Sequence, residues 1–316
     1  MASPATQILI IDEIHPSIFP LLERIGAEAD YRPDIKPADV REALAGFDGL
    51  ILRSKMHITA GNLELAGQLK FVARAGAGVD NIDAQALQER GIALLGANEG
   101  NRQAVGEFTL GLLLSLVRNI SRSDKQVREK VWLREENRGE EVSGKTVGII
   151  GYGNMGQSFA RVLGGFGCRI LAYDRFAPDN VCAPVQRASL EDIQAEADIV
   201  SLHIPYIPEN LSLADVSFFS GFRKPIWFLN TSRGDVVDQA ALVEHLKSGK
   251  IKGAALDVLE NEKLQTLTAS QQENFSYLAA AANVILSPHI AGWTHESYIK
   301  INEVLVEKIK ALVAGF

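Results

Sequence analysis

The sequence predicts an α/β protein of two doubly wound, parallel-sheet domains with a cleft between them, on three observations. Short apolar runs alternate with helix-like stretches in two separate series. A glycine-rich turn of the form GxGxxG opens the second series. The chain, at 316 residues, 47% apolar and 22% charged, is long enough to bury two cores.

In the first series, Gln7-Ile-Leu-Ile-Ile11 is an apolar run that ends at Asp12, and residues 49–52 and 71–73 are similar runs, separated by helix-like stretches such as 38–44. Short continuous runs of this kind suit strands covered on both faces, as in a parallel sheet. After the turn-rich Asn98-Glu-Gly-Asn101, residues 104–120 carry Leu110, Leu112, Leu113 and Leu114. Their length and apolar content predict a buried helix, and one apolar all round sits in a core or an interface. The second series supplies six strands, at 146–150, 169–173, 199–202, 226–229, 253–256 and 284–286. From His295 to Phe316 the pattern is helical and amphipathic, with no room for a further domain. The chain is read as starting in one domain, crossing near Asn98, building the second and returning near Pro288. This gives a substrate domain of residues 1–97 with 289–316, and a cofactor domain of residues 98–288.

Composition narrows the partners. A formal charge of −7 and an isoelectric point of about 5.5, with no basic tract, give no electrostatic reason to expect nucleic acid or a membrane surface. The opening Met-Ala-Ser-Pro-Ala-Thr-Gln has neither a basic start nor a long apolar core, and no run has the length that spans a bilayer. The expectation is a cytoplasmic protein whose partners are small molecules. Cys168 and Cys182 are too few for a disulfide framework, lie in no metal-ligand spacing, and read as packing residues, so no metal is expected.

The turn Gly151-Tyr-Gly-Asn-Met-Gly156 follows the strand at 146–150 and precedes a helix-like stretch at 154–163, and Asp174 ends the next strand, 18 residues after Gly156. A bare GxGxxG is often only a turn; this setting makes it a dinucleotide fingerprint of the Rossmann kind. Gly151 permits the tight turn, Gly153 lets a pyrophosphate approach backbone N–H groups at the positive helix end, and Gly156 allows close helix–strand packing. Asp174 would accept hydrogen bonds from ribose hydroxyls and repel a 2′-phosphate, which favours NAD over NADP. The neighbouring Arg175 is read as a solvated residue flanking the adenine.

Two strand ends carry candidate chemistry. Arg233, in Asn230-Thr-Ser-Arg-Gly-Asp235, follows the strand at 226–229, where open parallel sheets bind ligands, and its planar fork can grip a carboxylate. His289, in Ser-Pro-His-Ile-Ala-Gly-Trp, follows the strand at 284–286. Oxidising a secondary alcohol needs a base for the hydroxyl proton while hydride leaves for the nicotinamide, and histidine titrates in the useful range. A lone histidine is more often structural. His295 reads as a helix-start residue and His203, before Pro205, as a lining of the cofactor pocket. An acid beside His289 would orient its ring; Glu262 and Glu260 both qualify, and spacing does not choose between them.

These residues resemble the D-isomer-specific 2-hydroxyacid dehydrogenase family over nearly the whole chain. The matching pieces are Val79-Asp-Asn-Ile-Asp83, the glycine turn with Asp174, Leu202-His-Ile-Pro205, Asn230-Thr-Ser-Arg-Gly234, Ala255-Leu-Asp-Val258 and Ser287-Pro-His-Ile-Ala-Gly292. The resemblance implies catalytic roles for Arg233, Glu262 and His289, which settles the choice against Glu260. It implies cofactor contacts from Gly151, Gly153, Asn154, Met155, Gly156, Asp174, His203, Ile204, Pro205, Thr231, Ser232, Asp257, His289 and Gly292. The substrate side would comprise Arg53, Ser54, Arg74, the Ala75-Gly76-Ala77-Gly78 loop and Arg134. A homodimer is also implied, with residues 104–120 and the segment after them against the partner chain.

Within the family the chain is most similar to the branch that oxidises 3-phosphoglycerate to 3-phosphohydroxypyruvate in serine biosynthesis, in a short form without a C-terminal regulatory domain. Arg53, Arg74 and Arg134 fall where that branch binds the substrate phosphate, the last reaching across the dimer. Two departures stand out. Tyr206-Ile-Pro-Glu-Asn210 replaces the usual Leu-Thr segment, so the nicotinamide-side loop is expected to differ. Residues 263–282 lack the usual proline after the glutamate and are rich in Gln, Ser and Ala. The alternatives are a dehydrogenase of hydroxypyruvate, glyoxylate or lactate-type acids, and, in another class, an NAD(H)-responsive corepressor-like binding protein.

Overall fold

A computed structural model describes residues 5–176, 181 and 183–314. Cys182, the first four residues of the N-terminal stretch read above, and the last two residues of the C-terminal helical stretch lie outside the described residues. The chain divides into two compact units, one formed by Met1–Arg102 with Trp293–Phe316 and the other by Gln103–Gly292.

The first unit holds a parallel sheet of β1 (Thr6–Ile10), β2 (Ala27–Tyr31), β3 (Gly49–Leu52), β4 (Phe71–Arg74) and β5 (Ala93–Gly96), in the order β2-β1-β3-β4-β5. Successive side chains face opposite sides. Leu9, Leu50, Leu52 and Val72 pack with Val40, Leu44 and Leu87 on one face. Ile8, Ile10, Ile51 and Phe71 pack with Ile18, Leu22 and the helix His295–Val313 on the other. That helix starts with a capping box between Thr294 and Ser297 and buries Ile301, Leu305, Val306 and Ile309, which share one face of the helix. Gly100 lets it approach, since a Cβ there would lie 2.6 Å from the Ile301 backbone.

The expected helix at 38–44 is shorter than the sequence suggested. Only Val40–Ala43 is α-helical, flanked by 3-10 turns at Pro37–Asp39 and Leu44–Gly46. Pro37 suits the first turn of a helix but cannot lie inside one, and Gly46 weakens continuation.

The second unit holds β6 (Thr146–Ile150), β7 (Arg169–Tyr173), β8 (Gln186–Arg187), β9 (Ile199–Leu202), β10 (Ile226–Asn230), β11 (Ile251–Leu256) and β12 (Val284–Leu286). The order β12-β11-β10-β9-β6-β7-β8 is parallel throughout. It is the doubly wound order, with the direction of strand addition reversing between β6 and β9. One face packs Val147, Ile149, Phe159 and Leu229 with Leu112, Leu113 and Leu116 of the helix Arg102–Val117. The other packs Ile150, Val200, Leu202 and Phe228 with Phe218, Phe219, Phe222 and Leu246.

The buried helix expected over 104–120 is present but ends at Val117, and a second helix, Ile120–Arg128, begins after Asn119, which adopts φ 54°. Asparagine tolerates this left-handed conformation and so ends a helix. Residues 263–282 contain a helix at Ala269–Ala280, started by a capping box of Thr268 with Gln271 and anchored by buried Leu278. No single helix among the described residues is long and apolar enough to cross a membrane.

Candidate active site

The glycine turn occupies the point where the strand order of the second unit reverses. Gly151 has φ 90°, and a Cβ there would lie 2.5 Å from the His203 carbonyl oxygen at the end of β9. Gly156 faces back onto Gly151, whose carbonyl a Cβ would overlap. Gly153 is the N-cap of the helix Asn154–Leu163, in extended conformation and without a side-chain cap. Nothing among the described residues lies within 4 Å of where its Cβ would be. The first-turn N–H groups around Asn154 and Met155 are therefore open to an anion at the positive helix end.

Asp174 closes the loop from the side. Its carboxylate accepts the backbone N–H of Tyr152 at 2.7 Å and of Phe176 at 2.9 Å. The turn, the uncapped helix and this acid fit a dinucleotide, with Gly151–Gly156 against the pyrophosphate and Asp174 against the ribose.

His203 is buried between Ser201, whose hydroxyl lies 2.9 Å from Nε2, and the ring of Phe159. Burial pushes its pKa down to about 3, so the ring is neutral at ordinary pH. Its Nδ1 is buried without a partner among the described residues. Ile204 lies beside Gly151, whereas Pro205 and Tyr206 are exposed.

At the end of β10, the Asn230 side chain organises the turn that presents Arg233. It accepts from the Ser232 N–H at 3.0 Å and hydroxyl at 2.7 Å, and donates to the Arg233 carbonyl at 2.8 Å. Thr231 meets buried Thr109 at 3.1 Å between hydroxyls. Arg233 is half-buried, with Nη1 donating to the Ser232 carbonyl at 2.7 Å. Gly234 brings this turn against the loop ahead of Glu262, since a Cβ there would overlap the Leu259 carbonyl.

His289 sits in the left-handed region at φ 55°. Its Nδ1 lies 2.9 and 3.1 Å from the two Glu262 oxygens. That pairing engages Nδ1 and not Nε2, and both side chains are about half exposed, 46% and 48%. Glu260 accepts from Gln271 instead.

Asp257 has more to do in the structure than its sequence position disclosed. It is 1% exposed. Its Oδ1 accepts the Ser287 hydroxyl at 2.6 Å and the Ile290 N–H at 3.0 Å, its Oδ2 the Ala291 N–H at 2.8 Å, and its carbonyl the His289 N–H at 2.8 Å. One carboxylate thus holds the whole turn around His289, up to the end of this unit at Gly292. The pairing of β11 with β12, Leu256 opposite Leu286, makes this possible.

In the first unit, Arg53 and Arg74 lie together. Arg74 Nε donates to the Arg53 carbonyl at 3.2 Å, and its guanidinium lies under Gly76, where a Cβ would overlap it. Ser54 is exposed, and the Ala75 N–H continues the sheet to the Leu52 carbonyl at 2.8 Å, followed by part-buried Ala77 and Gly78. Arg134 belongs to the second unit, exposed beside Trp132 and Leu133.

The family model for D-isomer-specific 2-hydroxyacid dehydrogenases, NAD-binding domain, matches residues 110–291. The chain belongs to this family. The matched stretch is the family's NAD-binding domain and falls almost wholly in the second unit, with the glycine turn. It is 32% identical over 311 residues to a D-3-phosphoglycerate dehydrogenase of Synechocystis, covering 98% of this chain and 54% of that one. A hydroxypyruvate reductase of Thermotoga maritima is 36% identical over 271 residues, 86% of each chain. The chain spans about half the length of the phosphoglycerate dehydrogenases it matches, 54% and 58% for those of Synechocystis and Methanocaldococcus jannaschii. Among solved structures, a protein of Thermus thermophilus superposes with a TM-score of 0.82 at 30% identity over 98% of this chain and 97% of that one. A D-2-hydroxyisocaproate dehydrogenase does so with a TM-score of 0.82 at 26% identity over 98% of both chains.

Proposed function

We propose that the chain interconverts D-3-phosphoglycerate and 3-phosphohydroxypyruvate. The observation that carries the chemistry is the Glu262–His289 pair, with Glu262 on Nδ1 and Nε2 left to exchange the substrate's hydroxyl proton. Glu262, paired with Nδ1, fixes the ring's orientation so that Nε2 faces the substrate hydroxyl. Arg233, on its Asn230-braced turn, grips the carboxylate through its guanidinium fork. Bound NAD supplies the hydride acceptor. The substrate phosphate is assigned to Arg53, Arg74 and Arg134, supported by the adjacency of the first two and by likeness to phosphoglycerate dehydrogenases over 98% of this chain.

A second reading, a reductase of unphosphorylated hydroxypyruvate or glyoxylate, is favoured by the Thermotoga relative, which matches this chain in length as well as sequence. NADH oxidation with 3-phosphohydroxypyruvate, hydroxypyruvate and glyoxylate, repeated with Arg74→Ala, separates the two. Strong preference for the phosphorylated acid, erased by the substitution, supports the first reading. Equal rates on all three acids support the second.

The working form is assigned as a homodimer. Ile120, Val127 and Trp132, 53%, 51% and 81% exposed, leave an apolar strip along and beyond the helix Ile120–Arg128. Sedimentation of Trp132→Glu should give a monomer where the unsubstituted chain gives a dimer; a monomer from both would remove the assignment.

A further inference from the structure

We propose that Trp293 and Tyr298 are positioning residues that hold the Arg53 guanidinium for an anionic group on the substrate, and so set a preference for 2-oxo acids carrying a second negative charge. The inference deepens the phosphorylated-substrate reading and rests on it for the choice of anion.

Arg53 stands where the strand order of the first unit reverses, at the carboxyl ends of β1 and β3, which is where open α/β sheets bind ligands. Its main chain is tied from both sides. The N–H groups of Arg53 and Lys55 donate to Asp12 Oδ2 at 2.6 and 3.2 Å, and the Arg53 carbonyl accepts from Arg74 Nε and Asn81 Nδ2, both at 3.2 Å. The adjacent carboxylate, Asp12, is therefore engaged with the backbone. No carboxylate among the described residues pairs with the Arg53 side chain.

Two aromatic rings hold that side chain instead. Its guanidinium carbon lies 4.6 Å from the centroids of both Trp293 and Tyr298, and the two rings meet edge to face at 5.0 Å and 87°. Nη1 donates to the Tyr298 hydroxyl at 2.5 Å and to the Glu13 carbonyl at 3.4 Å. Nε and Nη2 have no acceptor among the described residues. Those two nitrogens form the edge that takes a phosphate or carboxylate through paired hydrogen bonds.

The support behind the rings is also fixed. His15 meets the Tyr298 ring edge to face, and the His15 carbonyl is held by Asn302 at 3.0 Å, one helical turn beyond Tyr298. Trp293 covers little core, being 58% exposed, and its ring meets this arginine and Tyr298. An arginine partly withdrawn from water, with its Nη1 spent on holding it and the opposite edge open, suits an anion arriving from solution better than a structural ion pair.

The test is steady-state kinetics with NADH and three acids: 3-phosphohydroxypyruvate, unphosphorylated hydroxypyruvate, and a dicarboxylic 2-oxo acid. These are run on the unsubstituted chain, Arg53→Gln, Trp293→Leu, Tyr298→Phe and the Arg53→Gln/Trp293→Leu double variant. Trp293→Phe serves as the conservative rescue, and circular dichroism verifies folding. Loss of one cation–π face or of the hydroxyl should raise KM for the preferred doubly charged acid roughly five- to tenfold, with kcat little moved. Trp293→Phe should restore most of this, and the double variant should be no worse than Arg53→Gln alone.

If the phosphorylated acid is preferred and only Arg53→Gln erases the preference, the aromatic role falls and the phosphate reading stands. If a dicarboxylic acid is preferred instead and all the single variants erase that preference, the phosphate reading falls and the aromatic role stands. If no doubly charged acid is preferred, both fall.

Discussion

Replacing Asp257 by asparagine should separate anchoring of His289 from contact with the cofactor. The carboxylate accepts one hydroxyl and two backbone N–H groups of the turn that follows β12. An amide of the same shape keeps one accepting oxygen, and whichever way it is turned either Ile290 or Ala291 presents its N–H to an NH2 group. An unmet buried donor costs about 1–3 kcal/mol. The turn also holds His289 at φ 55°, a left-handed conformation that costs a residue with a Cβ roughly 1–2 kcal/mol and that these bonds keep in place. The expected result is a loss of about 2 kcal/mol in urea unfolding, together with a fall in kcat of the order of 100-fold as His289 leaves its place over Glu262. NADH affinity, read by fluorescence titration, should change less than the roughly tenfold that 1.4 kcal/mol would give. Unfolding within about 0.5 kcal/mol of the unsubstituted chain would refute the accounting of buried bonds. A large loss of NADH affinity with kcat preserved would refute the anchoring role.

Glu262→Gln keeps the contact with the His289 ring but removes the charge, and should lower kcat for reduction roughly 100-fold with KM little altered; an unchanged kcat counts against the pair. Gly156→Ala sets a Cβ onto the Gly151 carbonyl with backbone on both sides, so thermal unfolding should show a loss of about 3 kcal/mol, and a melting temperature like that of the unsubstituted chain would contradict the close approach. Acid should destabilise the fold in two windows. Buried His203, lowered from 6.5 to about 3, stays neutral while the unfolded chain takes up a proton, so stability falls as pH drops below 6.5, at up to about 1.4 kcal/mol per pH unit. Burial alone would raise Glu140, but Lys145 and Lys252 together lower it from 4.5 to about 2, so its contribution is present above 4.5 and is lost as pH falls toward 2. His203→Asn should flatten urea midpoints between pH 6.5 and 4.5; an unchanged slope there would mean that His203 is protonated in the folded chain.

The strands legible in the sequence are mostly those with a neighbour on each side. β1, β3, β4, β6, β7, β9, β10 and β11 are interior and must be apolar in near-continuous runs, because helices or other chain cover both faces. The strands missed, β2, β5 and β8, are all at sheet edges. Ala27-Glu-Ala-Asp-Tyr31 alternates polar residues toward water, and β8 is two residues long. An edge needs less apolar surface and gains from charge that blocks further pairing, so it resembles a loop when read one residue at a time. The break after Val117 was legible in principle, since Arg118-Asn119 is an acceptable helix stop; the leucine content around it hid the signal.

The glycine turn, Arg233 and His289 were legible because each follows directly on an apolar run, so sequence alone places them at a strand end. Asp257 as an anchor was not, because its partners lie 30 to 34 residues away, across the β11–β12 pairing. The hold on Arg53 is further from the reach of sequence, since its hydrogen bond to Tyr298 spans 245 positions. Both depend on strand order, which no local pattern encodes. In the first unit the order reverses between β1 and β3, and there Asp12 meets the Arg53 backbone; in the second it reverses between β6 and β9, and there Gly151 meets His203. At a reversal the chain leaves the two central strands in opposite directions, so their ends are not bridged by one crossover and a crevice stays open. The residues lining that crevice come from distant parts of the sequence. A residue that binds directly can announce itself by type and strand-end position, while the residues that hold it in place become visible only once the sheet is assembled.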